Sequence, residues 1–174
     1  MGRIVNDEAL DTLFRAARRP DAWLAQPVGD TLLRAVWELV KLGPSSSVGA
    51  PACLLFVRSD EAKARLRAAV RAATQAAMMS APVMAILGHA LDPARRSAPR
   101  CDGVLQAAYL ILAARALGLD CTPIWDFDGE AVDAAFFPEE TIAADFVCIL
   151  GHGDDTRRSP HEVRPGFDEA CKIL

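Results

Sequence analysis

Gly43-Pro44-Ser45-Ser46-Ser47-Val48-Gly49-Ala50-Pro51 separates a helical pattern from a strand pattern. Before it, residues 31–42 carry apolar side chains at helical spacing; after it, residues 54–57 form a short apolar run typical of a buried strand. Three consecutive hydroxyls between glycine and proline predict a loop with free backbone N–H groups, suited to a polar, planar or phosphorylated ligand. A plain connector has the same composition, so that alternative stays open.

The same criteria predict the other elements of the chain. A first helix starts at Asn6-Asp7 and ends near Arg18-Arg19, because Pro20 disfavours helical backbone at the residue before it. Further helices are expected at residues 31–42, 60–79, 104–117 and 129–137, with a short helix or arm at 167–174. Buried strands are expected at residues 54–57, 82–87 and 145–150, and loops at 92–100 and 122–126.

This order of elements predicts the fold class. Three apolar strands among at least five helices, without regular strand–helix–strand alternation, indicate a single layered α+β domain over residues 1–174. Residues 104–117 are apolar on nearly every side, which predicts a central helix covered all round. Gly118 is the expected residue just past the end of that helix.

Composition excludes several classes of function. With 52% hydrophobic and 24% charged residues the chain is globular, and its net charge of −4 argues against a general nucleic-acid binder. We therefore interpret the row Lys63, Arg67 and Arg71 as a solvated surface, with a nucleic-acid or membrane-surface module as the weaker alternative. Five scattered cysteines without a C-x-x-C pair, and only three histidines, argue against a zinc site. No secretory signal is visible, which predicts a cytoplasmic protein with reduced thiols.

The sequence offers little side-chain catalytic machinery. It contains no Rossmann or P-loop glycine motif and no Gly-x-Ser-x-Gly elbow. His89, His152 and His161 lack an obvious nucleophile partner, so a structural or surface role is expected for each. An enzyme of this kind would take its chemistry from a cofactor and use the protein to position it.

Several segments together resemble one family, the FMN-dependent nitroreductases. The similarity extends over nearly the whole chain, in order, and is closest to the branch of malonic semialdehyde reductase and NADH dehydrogenase relatives. The segments are Pro44-Ser45-Ser46, Gln106-Ala107-Ala108-Tyr109-Leu110, Ala116-Leu117-Gly118-Leu119-Asp120, Phe127-Asp128, Ala134 with Phe136-Phe137, and Phe167-Asp168-Glu169-Ala170-Cys171.

The resemblance implies a mostly antiparallel central sheet flanked by helices, and a homodimer that binds FMN at the subunit interface. It also implies ping-pong hydride transfer from NAD(P)H through the flavin to a small electrophile such as a nitro compound, quinone or aldehyde. The residues that match family positions around FMN are Arg18 and Arg19 near the N-terminus, Ser45, Ser46 and Ser47 in the loop, Pro123 and Ile124 facing flavin N5, and Arg164 near the phosphate. The resemblance assigns no catalytic acid.

The chain also departs from the family pattern. Val48, Thr74 and Ala77 replace side chains that commonly hold the flavin, and Cys53 replaces a larger one. Trp125-Asp126 is bulkier and more acidic than the family's N5 loop, and residues 92–100 shorten a longer excursion. Trp125 either fills part of the ring space or packs in an interface core. These departures favour an alternative: a degenerate member that binds flavin weakly or not at all, acting as a flavin store or interaction protein.

Overall fold

The computed structural model describes residues 2–44, 53–91, 98–138 and 142–174, with the backbone alone at 98–102. The triple-serine loop, Val48 and most of the shortened segment lie outside these residues. The elements within them are α1 (Asp7–Leu10), a π-helical turn (Asp11–Arg15), α2 (Asp30–Val40), β1 (Cys53–Val57), α3 (Asp60–Arg67), α4 (Ala72–Ser80), β2 (Val83–Ala90), α5 (Ala98–Ala116), β3 (Asp120–Ile124), α6 (Gly129–Phe136), β4 (Ile142–Gly151) and α7 (Phe167–Ala170).

The four strands form one sheet in the order β1-β2-β4-β3, and every neighbouring pair is antiparallel. The predicted α+β class and the antiparallel sheet are therefore confirmed. Within the described chain, β1 and β3 are the two edges of the sheet. An edge strand has one row of backbone N–H and C=O groups without a strand partner.

Helices cover both faces of the sheet. One face packs against α2 and α5 through a cluster that includes Val36, Leu110 and Phe146. The other packs against α3, α4 and α6 through Leu66, Met78 and Val132. Strand residues alternate between the two clusters, as a period of two requires. The sheet is thus the middle layer of three, and its β3 edge and strand ends remain available for a site.

The predicted loop at residues 122–126 is wrong for its first part, because Thr122, Pro123 and Ile124 belong to β3. Pro123 lies opposite Cys148 of β4. Proline has no backbone N–H to donate to a neighbouring strand. A sequence pattern that contains it therefore predicts a loop. At an edge the missing N–H costs no ladder bond on the open side, and so the strand continues through it.

The predicted single helix at residues 60–79 is also wrong, since the chain turns between α3 and α4. The side-chain amide of Gln75 donates to the carbonyls of Arg67, at 3.1 Å, and Val70, at 2.9 Å, which satisfies the backbone at the break. Lys63 is not on a solvated surface: it is 6% exposed, and its Nζ donates to the carbonyl of Ala81 at 2.6 Å. The interpretation of a wholly solvated basic row is corrected accordingly.

Helix α5 begins at Ala98, earlier than predicted, and it is not covered on every side. Val104 is 60% exposed, and Leu105 and Tyr109 are also exposed. The uniformly apolar helix therefore packs against the sheet on one side and, among the described residues, exposes apolar side chains on the other. The end of the helix agrees with prediction: Gly118 has φ +78, the left-handed conformation that glycine adopts without strain.

The remaining boundaries differ by a few residues. The first helix becomes a π-helical turn and ends at Arg15, β2 and β4 extend beyond their predicted ends, and only Phe167–Ala170 of the final segment is helical. Cys148 is fully buried, as predicted, and burial raises the pKa of its thiol. In the described chain, no helix is long and apolar enough for a membrane span, and no three potential ligands cluster for a metal.

Candidate functional site

The segment that follows Arg18 meets the segment that follows β4 and leads to Arg164. The segment after Arg18 runs antiparallel to the segment after β4, with Pro20 bridged to Arg158 and Trp23 bridged to Gly153. Backbone hydrogen bonds from Asp21 to Arg157 and from Leu24 to His152, both 2.8 Å, reinforce this pairing. The fold thus joins residues more than a hundred positions apart beside the start of β3.

Arg158 is the centre of that junction, although the sequence did not single it out. Its guanidinium donates to both carboxylate oxygens of Asp120, at 2.7 and 3.0 Å, and its Nε donates to Asp155 at 2.7 Å. It also donates to the carbonyl of Arg18 at 3.2 Å. The Asp120 carboxylate raises the pKa of Arg158, so this side chain is a permanent cation committed to carboxylates.

Arg18 and Arg19 lie on the outer side of this junction. Arg18 is exposed, and among the described residues its guanidinium has no carboxylate partner. Its side chain lines an open groove of about 410 Å³ together with Arg115 and Arg158. Arg19 donates to the Ser159 hydroxyl at 3.1 Å and lies 3.7 Å from the carboxylate of Asp21. Arg18 is thus a cation that, in the part of the chain described, is available to an anionic ligand.

Arg164 lies in the exposed C-terminal segment. Its side chain is 79% exposed and pairs with Glu162. No contact in the described part of one chain connects it with Arg18. The predicted convergence of these two arginines on a phosphate therefore stays a prediction, whereas the convergence of their neighbouring segments is seen.

Pro123 and Ile124 end β3, at the opposite end of that strand from Asp120. Ile124 is buried, and Trp125 follows it with an indole that is 79% exposed. The indole meets the ring of Phe146 edge-on, with centroids 5.5 Å apart. In the single chain the indole is therefore packed on one edge only, and both hypotheses for Trp125 stay open.

The loop after Trp125 is tied to the turn between α3 and α4. Asp126 forms an ion pair with Arg71, Phe127 is bridged to Val70, and the backbone N–H of Asp128 donates to the carbonyl of Ala69 at 2.8 Å. Arg71 thereby offsets the charge that the sequence placed in the predicted N5 loop. Thr74 and Ala77, which were noted as departures, lie half-buried on α4 in the same region.

His89 and Asp145 form a pair that sequence reasoning missed. His89 Nδ1 lies 2.7 Å from Asp145 Oδ2, and the two side chains are 17% and 6% exposed. His89 is thus held by a buried carboxylate, a partner that the expectation of a structural or surface role did not name. One signal was present: Asp145 opens a buried apolar run, and a buried carboxylate requires a partner. The partner is 56 positions away, which no local pattern reveals.

A β-bulge places Asp145. Leu87 pairs with Phe146 and Gly88 with Ala144, so Asp145 is the extra residue on β4. Its carboxylate lies against the backbone of Gly103 on α5, where a Cβ would be only 2.2 Å from Oδ2. The bulge and the glycine together direct Asp145 and Phe146 to the α5 face of the sheet.

The donor set at the β3 edge fits a phosphorylated, planar cofactor. Arg18 offers an uncommitted guanidinium, and the β3 backbone is unpaired on its open side in the described sheet. Among the described residues, the buried Thr122 hydroxyl and the buried Trp23 indole N–H have no hydrogen-bond partner, so polar groups near this edge could bind one. A guanidinium can bind the phosphate, and backbone groups can hydrogen-bond the N–H and C=O groups of the ring.

Comparison with known proteins shows the family. Residues 2–153 match the model of the nitroreductase family, and the chain therefore belongs to that family. It is by that membership an oxidoreductase. The resemblance and the fold expected from it are confirmed.

Two relatives are similar along almost their full length. A protein of Ralstonia pickettii, provisionally named NADH dehydrogenase/NAD(P)H nitroreductase HadB, is 42% identical over 95% of this chain and 97% of its own. A provisionally named counterpart in Cupriavidus pinatubonensis is 38% identical over 96% and 98%. That second alignment spans 193 positions, more than the 174 residues of this chain, so the relative has additional residues within the matched region.

Solved structures share the fold at lower identity. A provisionally assigned nitroreductase of Bacillus subtilis has a TM-score of 0.87 at 18% identity, covering 97% of this chain and 100% of that one. One from Exiguobacterium sibiricum, solved in complex with FMN, has a TM-score of 0.82 at 16% identity and covers both chains fully.

Proposed function

We propose that this oxidoreductase binds FMN and uses NAD(P)H to reduce a small electrophile, such as a nitro compound, quinone or aldehyde, by a ping-pong route. The observation that carries the proposal is the junction between the Arg18–Arg19 segment and the segment around Arg158. It leaves Arg18 uncommitted at one end of β3, with Pro123 and Ile124 at the other. The names of the full-length relatives support NAD(P)H as the reductant, and the FMN complex of a structural neighbour supports FMN as the cofactor.

We assign phosphate recognition to the arginines. Arg18 and Arg19 would contribute from the N-terminal side, and Arg164 from the C-terminal segment. Arg158 is excluded from this role because its guanidinium is occupied by Asp120 and Asp155. Its task is to hold the two segments together, so that Arg18 is presented beside the groove.

The remaining contacts would hold the ribityl chain and the ring. Ser45, Ser46 and Ser47 would supply hydroxyl and backbone donors, and the backbone at Pro123 and Ile124 would face N5. When bound, FMN would accept hydride from NAD(P)H and pass it to the second substrate. The Arg71–Asp126 ion pair keeps the acidic side chain of the adjacent loop neutralised.

We also propose a homodimer, in the cytoplasm. The exposed apolar residues of α5 would be covered by a second copy, since burying Val104, Leu105 and Tyr109 is favourable. The C-terminal segment makes few contacts with its own chain: Val163 is 98% exposed and Ile173 87%. In a dimer this segment, and Arg164 with it, would reach the partner.

The test is cofactor retention followed by turnover. Purified protein incubated with FMN and desalted is expected to stay yellow and then to oxidise NADH or NADPH with menadione or a nitroaromatic as acceptor. Absorbance of the desalted protein and the rate of NAD(P)H loss measure the two steps. A folded protein that remains colourless would instead establish the degenerate alternative.

Replacing Arg164 with alanine is expected to weaken FMN binding by roughly ten- to a hundredfold, the effect of losing a charge-assisted hydrogen bond. Stability should stay unchanged within about 0.5 kcal/mol, because both Arg164 and Glu162 are exposed. Quenching of FMN fluorescence measures the affinity. Arg67→Ala, at an exposed arginine of α3, is the matched control, and equal affinities for the two variants would remove Arg164 from the site.

A further inference from the structure

We propose that His89 is the proton donor to the oxygen of a carbonyl or quinone substrate, with Asp145 as the residue that positions its ring. The inference rests on the proposed function, because the hydride would come from reduced FMN. The proposed function names no acid. His89 would supply one that protonates the substrate oxygen while hydride is transferred to the substrate.

The first support is the geometry of the pair. Asp145 Oδ2 holds His89 Nδ1 at 2.7 Å, and Nε2 has no partner among the described residues. Asp145 is almost fully buried, whereas His89 keeps 17% of its side chain exposed. A carboxylate on one ring nitrogen fixes the imidazole orientation and compensates the charge of its protonated form, while the other nitrogen is free to exchange a proton.

The second support is how much of the fold is arranged around this carboxylate. The bulge at Asp145 interrupts the β2–β4 ladder, and Gly103 supplies the one helix position without a Cβ against it. An ionised side chain at 6% exposure is costly unless it is paired. The bulge and the glycine thus seat this carboxylate beside the ring of His89.

The third support is location. Asp145 precedes Phe146, whose ring contacts Trp125 at a centroid distance of 5.5 Å. Trp125 directly follows Pro123 and Ile124, the backbone assigned to the hydride-transferring edge of the cofactor. The pair, Phe146 and the Trp125 contact lie on the same face and at the same end of the sheet.

The chemistry balances as a two-electron reduction. Hydride adds to the carbonyl carbon, or to the conjugated system of a quinone, and the C=O π pair moves to oxygen. The new O–H bond forms with the proton on His89 Nε2 as that N–H bond breaks, which leaves a neutral imidazole. Solvent then returns a proton to the partly exposed ring.

The test measures the two half-reactions of the His89→Gln variant separately. Reduction of bound FMN by NADH should be unchanged, and so should reoxidation by ferricyanide, which takes electrons without a proton on oxygen. Reoxidation by menadione should slow by roughly a hundredfold, the usual contribution of a positioned acid. Asp145→Asn should slow the same step by a smaller factor. Arg67→Ala, at an exposed arginine on α3 outside the pair, is the control and should match the unmodified protein.

A readout without FMN accompanies the kinetics. In the cofactor-free protein, ¹⁵N NMR should show His89 with its proton on Nδ1 in the neutral ring, and Asp145→Asn should redistribute it. Unslowed menadione reoxidation in His89→Gln would overturn the proposal, as would equal slowing of all three reactions. Failure to retain FMN or to reduce it with either nicotinamide is a separate outcome: it removes the proposed function, and this inference with it.

Discussion

Arg158→Ala is expected to lower the free energy of unfolding by about 2 kcal/mol, which corresponds to a fall in Tm of roughly 4–8 °C for a chain of this size. The guanidinium makes four hydrogen bonds: two to the oxygens of Asp120, one to the carboxylate of Asp155 and one to the carbonyl of Arg18. The side chain is 15% exposed and that of Asp120 24%, so solvent replaces only part of what is lost. Asp120 would keep a single described bond, from the backbone N–H of Gly153 at 2.9 Å.

Thermal unfolding followed by circular dichroism measures this effect. Arg157→Ala is the matched control, because Arg157 is the adjacent residue and its side chain is exposed; its Tm should change by no more than a degree or two. FMN affinity should also fall in Arg158→Ala, because the Arg18 segment loses its support. An Arg158→Ala protein as stable as the Arg157→Ala protein would show that the junction is not held by this side chain.

Gly103→Ala is expected to destabilise the protein by about 2 kcal/mol, although alanine is the better helix former. Helix propensity favours alanine by about 1 kcal/mol. Against this, the new Cβ would lie 2.2 Å from Asp145 Oδ2 and 2.8 Å from its Cγ, so the carboxylate must move. Moving it breaks the 2.7 Å contact with His89 and leaves a buried charge poorly satisfied, at a cost of about 3 kcal/mol.

The decisive measurement is the same substitution in an Asp145→Ala background. With the carboxylate removed, Gly103→Ala should lose most of its cost and come within about 1 kcal/mol of neutral, because helix propensity favours alanine and only the Cβ at position 145, 3.3 Å away, still opposes it. Urea unfolding of the four proteins in the cycle gives both values. Gly103→Ala that is destabilising to the same extent in both backgrounds would place the obstruction elsewhere than at Asp145.

Much of the fold was predictable because hydrophobic periodicity is a local property. The apolar runs of β1, β2 and β4, the amphipathic pattern of α2 and the stop at Gly118 each follow from neighbouring residues. The failures have a common origin. The edge position of β3 tolerates Pro123, and Gln75 closes the break between α3 and α4; both depend on what is opposite in space.

The candidate site divides in the same way. Arg18, Arg19 and the Pro123–Ile124 pair were selected by resemblance, and the fold gives Arg18 a position consistent with that assignment. Arg158, Asp120 and the His89–Asp145 pair were not selected, because their significance lies in partners 38 and 56 residues apart along the chain. In the sequence, neither one of many arginines nor an isolated histidine has a neighbouring motif that marks it as functional.

By itself the sequence determined the α+β class, which follows from the order and periodicity of short apolar segments, and the family, which follows from the resemblance of its motifs. Only the tertiary structure decided which charged side chains pair with one another and which can bind a ligand. Pairing of the segments around Arg18 and Arg158, and the bulge that turns Asp145 toward His89, arise from sheet register. Register is set by packing across the whole sheet, and so no stretch of residues read alone contains it.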